Sequence, residues 1–229
     1  MKARLGASVG KHIKKTDNAH GSLGDKVAIR REVLRSVSAP CVFDAFAGSG
    51  VLYRAVWREA ASYVGCDLRY FRDDRPAYVA DNRRVMRAVD LGQFNVFDLD
   101  SYGSPWEQVL ILIARRPVAE GEMVGLVLTE GSRMKATFGQ LPTLLADIAG
   151  LSGRVPGAHM DMNGITDRAI VGMCRRWGVK IVKQWRAESH AMGSARPIYI
   201  GLVLEGVSGV AGPEAGSDTQ SEGMVAGRA

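Results

Sequence analysis

Cys41-Val42-Phe43-Asp44-Ala45-Phe46-Ala47-Gly48-Ser49-Gly50 runs from strand formers into a turn of small residues. The β-branched and aromatic residues at its start suit a buried strand. The glycines at its end let the backbone take conformations closed to other residues and let a ligand come close. A helix follows from Val51, so its N-terminal N–H groups face the same turn. The stretch reads as a strand-turn-helix whose turn holds a ligand, or as a bare βα connection. It is neither of two familiar phosphate loops. Tyr53 stands where GxGxxG requires its third glycine, and the GK[ST] of a Walker A loop is absent.

Outward from this turn, apolar strands alternate with helical stretches. Upstream, residues 22–38 predict a helix that Ser22 caps and Ala39-Pro40 ends, with Val27, Ile29, Val33, Leu34 and Val37 on its apolar face. Downstream, strands are expected at YVGCDL, PAYVAD, NVFDLD, MVGLVLTE, VKIVKQW and PIYIGLVLE. Helices are expected over 51–61, in RRVMRAV, and over 105–116, 138–150 and 163–177. The alternation predicts an α/β fold: a seven-stranded, mostly parallel, Rossmann-like sheet with helices on both faces. Only the loop 186–197 separates the last two strands, too little for a parallel crossover, so the last strand should run antiparallel.

Three strand ends carry candidate chemistry. Asp67 closes the second strand, 17 residues after Gly50, where an acid can accept both hydroxyls of a ribose or cap the next helix. Asp81-Asn82 closes the third and suits an adenine ring or an N-cap equally. The fourth ends in Asp98-Leu99-Asp100-Ser101-Tyr102-Gly103-Ser104-Pro105-Trp106. Asp98 and Asp100 are two apart and point to one side of the strand. A carboxylate beside an aromatic ring can hold a flat base with an exocyclic amine, the ring stacking and the oxygen accepting from N–H.

DAFAGSG, GCDL and DLDSYGSP at successive strand ends resemble the class I S-adenosylmethionine-dependent methyltransferases, over residues 38–205. The Asp-x-Phe-x-Gly-x-Gly form of the first motif is common among those acting on nucleic acids. The fourth-strand stretch is similar to the Asp/Asn-Pro-Pro-Tyr/Phe pattern of amino-methyltransferases, and closer to the Asp-Leu-Asp-Pro-Phe/Tyr-Gly-Ser-Pro of tRNA guanine-N2 dimethyltransferases. Ser101 replaces that family's proline, and the chain has no room for its C-terminal domain. The resemblance implies S-adenosylmethionine as cofactor, held by Asp44, Phe46, Gly48, Gly50, Asp67, Asp81 and Asp98. It implies a catalytic pair: Asp100 accepting from the target amine and Tyr102 stacking on the base. The expected reaction is methyl transfer to an exocyclic amino group of a base in RNA or DNA. The alternatives are a small-molecule methyltransferase of the same fold and a non-enzymatic nucleic-acid-binding protein on that scaffold.

Charge distribution points to the same partner. The chain holds 30 Lys or Arg against 24 Asp or Glu, a net charge of +6. Residues 1–36 hold nine basic and three acidic side chains, so the whole excess lies there. Before the first helix, Lys2, Arg4, Lys11, Lys14 and Lys15 form a basic arm (1–21) suited to phosphates, or to plain solvation. Residues 206–229 are rich in Gly, Ala and Ser and are expected to form a disordered tail around the 22–205 domain. The N-terminus has no apolar signal core and no apolar run reaches the roughly 18 residues of a membrane span. Three cysteines, Cys41, Cys66 and Cys174, make no CxxC; a disulfide framework is not expected and a reducing cytoplasm is. None lies in the fourth-strand motif, which disfavours cysteine-dependent C5 methylation. No metal is expected: His159 and His190 lack ligand spacing.

Overall fold

A computed structural model describes residues 20–152, 154–189 and 196–208. Seven strands form one sheet: β1 (Cys41–Asp44), β2 (Ser62–Asp67), β3 (Ala77–Val79), β4 (Val96–Leu99), β5 (Met123–Glu130), β6 (Val179–Glu188) and β7 (Ile198–Gly206). Their order is β3-β2-β1-β4-β5-β7-β6. The pairs from β3 to β5 are parallel, and β7 runs antiparallel to both β5 and β6. The expected fold is therefore the observed one. The order reverses at β1, where strands go one way to β2 and the other to β4, and this opens a crevice at their carboxyl ends.

Helices cover both faces. On one lie α1 (His20–Ser36), α2 (Val51–Ala55) and a 3-10 turn at Trp57–Glu59. Ile29, Val33, Val37, Val42, Val56, Trp57, Val96 and Val127 make its core. Helix α1 sits directly on β5 and β7 because two strand glycines make room. A Cβ on Gly125 would come within 2.7 Å of Val33, and one on Gly201 within 2.6 Å of Ile29. On the other face lie α3 (Asn82–Ala88), α4 (Trp106–Arg115), α5 (Arg133–Thr137), α6 (Thr143–Ile148) and α7 (Met162–Trp177). Their core runs from Phe43 and Phe97 through Trp106 and Leu112 to Ile170 and Met173. Helix α7 ends at Gly178, left-handed at φ 70°, and passes straight into β6.

Two expected helices differ. The stretch 51–61 breaks at Val56 (φ −141°) into α2 and the 3-10 turn, which turns the Trp57 ring wholly into the core. The stretch 138–150 contains Gly139 at φ 68° and Pro142, so its helix starts only at Thr143, while an unexpected α5 precedes it. Cys66 and Cys174 are buried, with burial raising both thiols to about 11, whereas Cys41 is half-buried at the start of β1.

Candidate functional site

The turn after β1 is shaped by its glycines. Gly48 and Gly50 are both left-handed, at φ 48° and 77°. The Gly48 N–H donates to Asp67 Oδ2 at 2.9 Å, joining the turn to the end of β2, and the Arg69 N–H donates to Oδ1 at 2.9 Å. Arg75 locks the outside of the turn. Its guanidinium donates to the Ala47 and Gly48 carbonyls at 3.0 and 2.9 Å, pairs with Asp73 at 2.6 Å and lies 5.9 Å from the Tyr53 ring. A Cβ on Gly50 would meet it at 2.7 Å, so this glycine is needed for a close approach as well as for its φ.

Beside the turn is an open cavity of ≈ 290 Å³. Ala45 and Phe46 of β1's end, Asp67 and Leu68 of β2's, Ala80, Asp81, Asn82 and Arg83 at the start of α3, and Ser104, Glu107 and Gln108 at the start of α4 line it. Its floor is tied together by Asn82, whose amide donates to the Ala45 carbonyl at 2.7 Å and accepts from Gln108 at 3.1 Å. Asp81 caps α3 by accepting from the Arg83 N–H, and the Arg83 side chain holds its carboxyl down at about 2. A smaller cavity of ≈ 50 Å³, bounded by Gly48, Asp67, Tyr70 and Arg75, adjoins the turn.

Of the expected cofactor residues, Phe46, Asp67 and Asp81 share the larger cavity and Gly48 borders the smaller; Gly50 faces Arg75. Asp44 and Asp98, also expected to hold the cofactor, face the other way, into the α1 side of the sheet, and line neither cavity. Asp44 is 2% exposed and accepts from the Phe46 N–H at 3.1 Å and the Tyr63 hydroxyl at 3.0 Å. Burial, with the nearby Asp98 carboxylate, raises its carboxyl to about 8. Asp98 is fully buried; Arg30 grips both its oxygens at 2.7 Å and Trp57 Nε1 donates at 2.8 Å. The reason is strand parity: Asp98 and Asp100 do share a side, but it is the side α1 covers.

Asp100 Oδ2 lies 3.0 Å from Lys26 Nζ and 3.6 Å from Arg30, and Oδ1 accepts from Thr129 at 2.6 Å. Burial works against its charge, but Arg30 and Lys26 outweigh this and hold the carboxyl below the usual range. Its side chain keeps 11% of its surface open. Tyr102, two residues on, is 64% exposed. Ser101, in place of the family's proline, is buried and donates to the Thr129 carbonyl at 3.0 Å, so the turn stays pinned to β5. Glu130 pins the same turn: it accepts from Trp106 Nε1 at 2.7 Å, from Ser104 and from Ser132, and burial raises its carboxyl.

Lys26, Arg30, Arg75, Thr129 and Glu130 escaped sequence reasoning. One signal was available: Lys26 and Arg30 are four apart and continue the stripe of Val33 and Val37, so two cations lie on the buried face of a helix. Lys2, Arg4, Lys11, Lys14, Lys15 and His190 lie outside the described residues. Arg83 and Arg87 pair with Glu107, and Arg176 with Asp147. Among the described residues, no helix is long and apolar enough to cross a membrane, and no group of three metal-ligating side chains occurs.

Strand order, the single reversed strand and the glycine turn at the switch point define the Rossmann-like fold of the class I methyltransferases. M. jannaschii TYW2, solved in complex with AdoMet, is similar at TM-score 0.53 and 9% identity over 86% of this chain and 80% of its own. N-methyltransferase NodS from Bradyrhizobium japonicum WM9 scores 0.49 at 9% identity, over 84% of this chain and 100% of its own. An rRNA methylase from Streptococcus thermophilus scores 0.44 at 10% identity, over 86% and 99%. At 9% identity the likeness to TYW2 is one of fold. No protein-family model matches the chain, and no curated protein matches it.

Proposed function

We propose that this chain is an S-adenosylmethionine-dependent methyltransferase acting on an exocyclic amino group of a base in RNA or DNA. One observation carries the cofactor: the left-handed Gly48 N–H and the Asp67 carboxylate meet at 2.9 Å beside the ≈ 290 Å³ cavity at the β1–β2 strand ends. The residues present fit the group. Each Asp67 oxygen accepts one backbone N–H and has a second acceptor site for a ribose hydroxyl. Phe46, Leu68 and Ala80 offer apolar wall to an adenine, with Asp81 and Asn82 at its edge.

When bound, the cofactor supplies a methyl group made electrophilic by its sulfonium. The chain's own residues have to aim the nucleophile. Asp100, ionised between Lys26 and Thr129, accepts an N–H of the target amine and draws its lone pair out of the ring. The bound cofactor would supply that methyl group and would keep the bonding pair as a neutral thioether. The surplus N–H proton leaves through Asp100 to solvent. Tyr102, exposed at the mouth of the turn, stacks on the base. The 98–106 stretch and the basic arm support a nucleic-acid substrate.

Transfer of labelled methyl groups to tRNA, rRNA, and single- and double-stranded DNA, followed by digestion to nucleosides, tests this reading. The expected product is an N-methylated base. Cofactor binding without transfer to any nucleic acid would move the substrate to a small molecule.

A further inference from the structure

Buried charge gathers on the α1 side of the sheet. Lys26 and Arg30 are 4% and 0% exposed, and reach under the ends of β1 and β4. Arg30 is committed: its Nε and Nη2 grip Asp98, and it stands 3.6 Å from Asp100. Lys26 is placed differently. Its ammonium lies 3.0 Å from Asp100 Oδ2 and 5.2 Å from the centre of the Tyr199 ring. Asp100 thus meets Lys26 and Arg30 from α1, Asp98 from its own strand, and Thr129 from β5. Asp44 on β1 lies near Arg30 and Asp98, and the Tyr199 ring on β7 lies under Lys26.

We propose that Lys26 is a positioning residue for Asp100: from α1 it holds the carboxylate charged and fixed in place, with acceptor capacity left over for the substrate amine. The inference rests on the reading of Asp100 as the amine acceptor. An ionised carboxylate has about four acceptor sites. Thr129 takes one on Oδ1 and Lys26 one on Oδ2, which fixes the side chain at both oxygens while leaving acceptor capacity. Without Lys26, a carboxylate this enclosed would have to stand beside Asp98 with the shared Arg30 for balance. It would then take up a proton more readily and lose its power to accept. An N-terminal helix outside the crevice thereby sets the chemistry at the end of β4.

The test uses the full chain with Lys26→Met, Lys26→Gln and Lys26→Arg. The Asp100 carboxyl is followed by ¹³C NMR titration, and single-turnover methyl transfer to the nucleic-acid substrate is measured against pH. In folded Lys26→Met or Lys26→Gln, with affinity for S-adenosylhomocysteine unchanged, the titration midpoint and the acid limb of the rate profile should both rise by about one pH unit or more. Lys26→Arg should restore both. If Asp100 is required for turnover but neither quantity moves in the neutral variants, the proposal fails while the acceptor reading stands. Full single-turnover activity in Asp100→Asn would overturn both. The NMR titration needs no turnover, so an unmoved midpoint overturns the proposal even where no substrate is yet in hand.

Discussion

At the scale of single residues, two aspartates do opposite work. Asp67 spends its charge on the glycine turn and the crevice. Asp67→Ala should weaken binding of S-adenosylhomocysteine by about 1.5–3 kcal/mol, the scale of a lost charge-assisted hydrogen bond. Calorimetric titration measures it, and an unchanged affinity in a folded variant removes Asp67 from the site. Asp44 is enclosed, and its carboxyl is raised from 3.8 to about 8. Across that range the folded chain holds a proton that the unfolded chain has released. The stability this contributes is complete below 3.8 and is lost as pH rises toward about 8. Asp44→Asn, which stays neutral, should remove that slope, so urea denaturation between about pH 5 and 8 should show a flatter dependence than the parent. Asp67 was readable in the sequence because its distance from the glycine turn is a feature of chain order. The inward turn of Asp44 was not: the same residue type at a strand end serves a ligand or a buried network according to which face is covered.

At the scale of elements, α1 does more than cover the sheet. Its stripe of Ile29, Val33 and Val37 supplies packing, and Arg30 on that stripe neutralises a carboxylate in the core. Arg30→Met should leave Asp98 buried with only Trp57 as donor and cost about 3–5 kcal/mol, the penalty of breaking one side of a buried pair. Chemical denaturation reads this, and a loss below about 1 kcal/mol would mean that Asp98 takes a proton instead. The position of α1 was legible from its apolar period and its Ala39-Pro40 stop. The break between α5 and α6 was less so. Residues 138–150 have helical composition, yet Gly139 is left-handed and Arg154, 15 positions down the chain, packs over it.

At the scale of the whole molecule, the charge is unevenly spread along the chain. The charge excess of +6 lies within residues 1–36; Lys26 and Arg30 in that stretch pair with Asp100 and Asp98, and on the proposed reading the basic residues before the first helix meet the nucleic acid. Deleting residues 1–16 should flatten the salt dependence of nucleic-acid binding by several units, at about 0.7–0.9 per phosphate contact. Cofactor affinity should not change, because the crevice is built from residues 45–108. Fluorescence anisotropy at several salt concentrations decides it; a slope that survives deletion moves the contacts onto the domain. The sequence by itself determined the sheet, its reversed strand and the glycine turn with Asp67. Strand period, turn chemistry and connection length are local properties, and each constrains its own few residues. Only the tertiary structure decided which side of the sheet each strand-end carboxylate serves. Asp98 and Asp100 carry the same pattern along the chain, and their roles depend on Lys26 and Arg30 arriving from about 70 residues away. Arg75 over the glycine turn and Glu130 under the fourth-strand loop are likewise partners that folding brings together, and no spacing along the chain announces them.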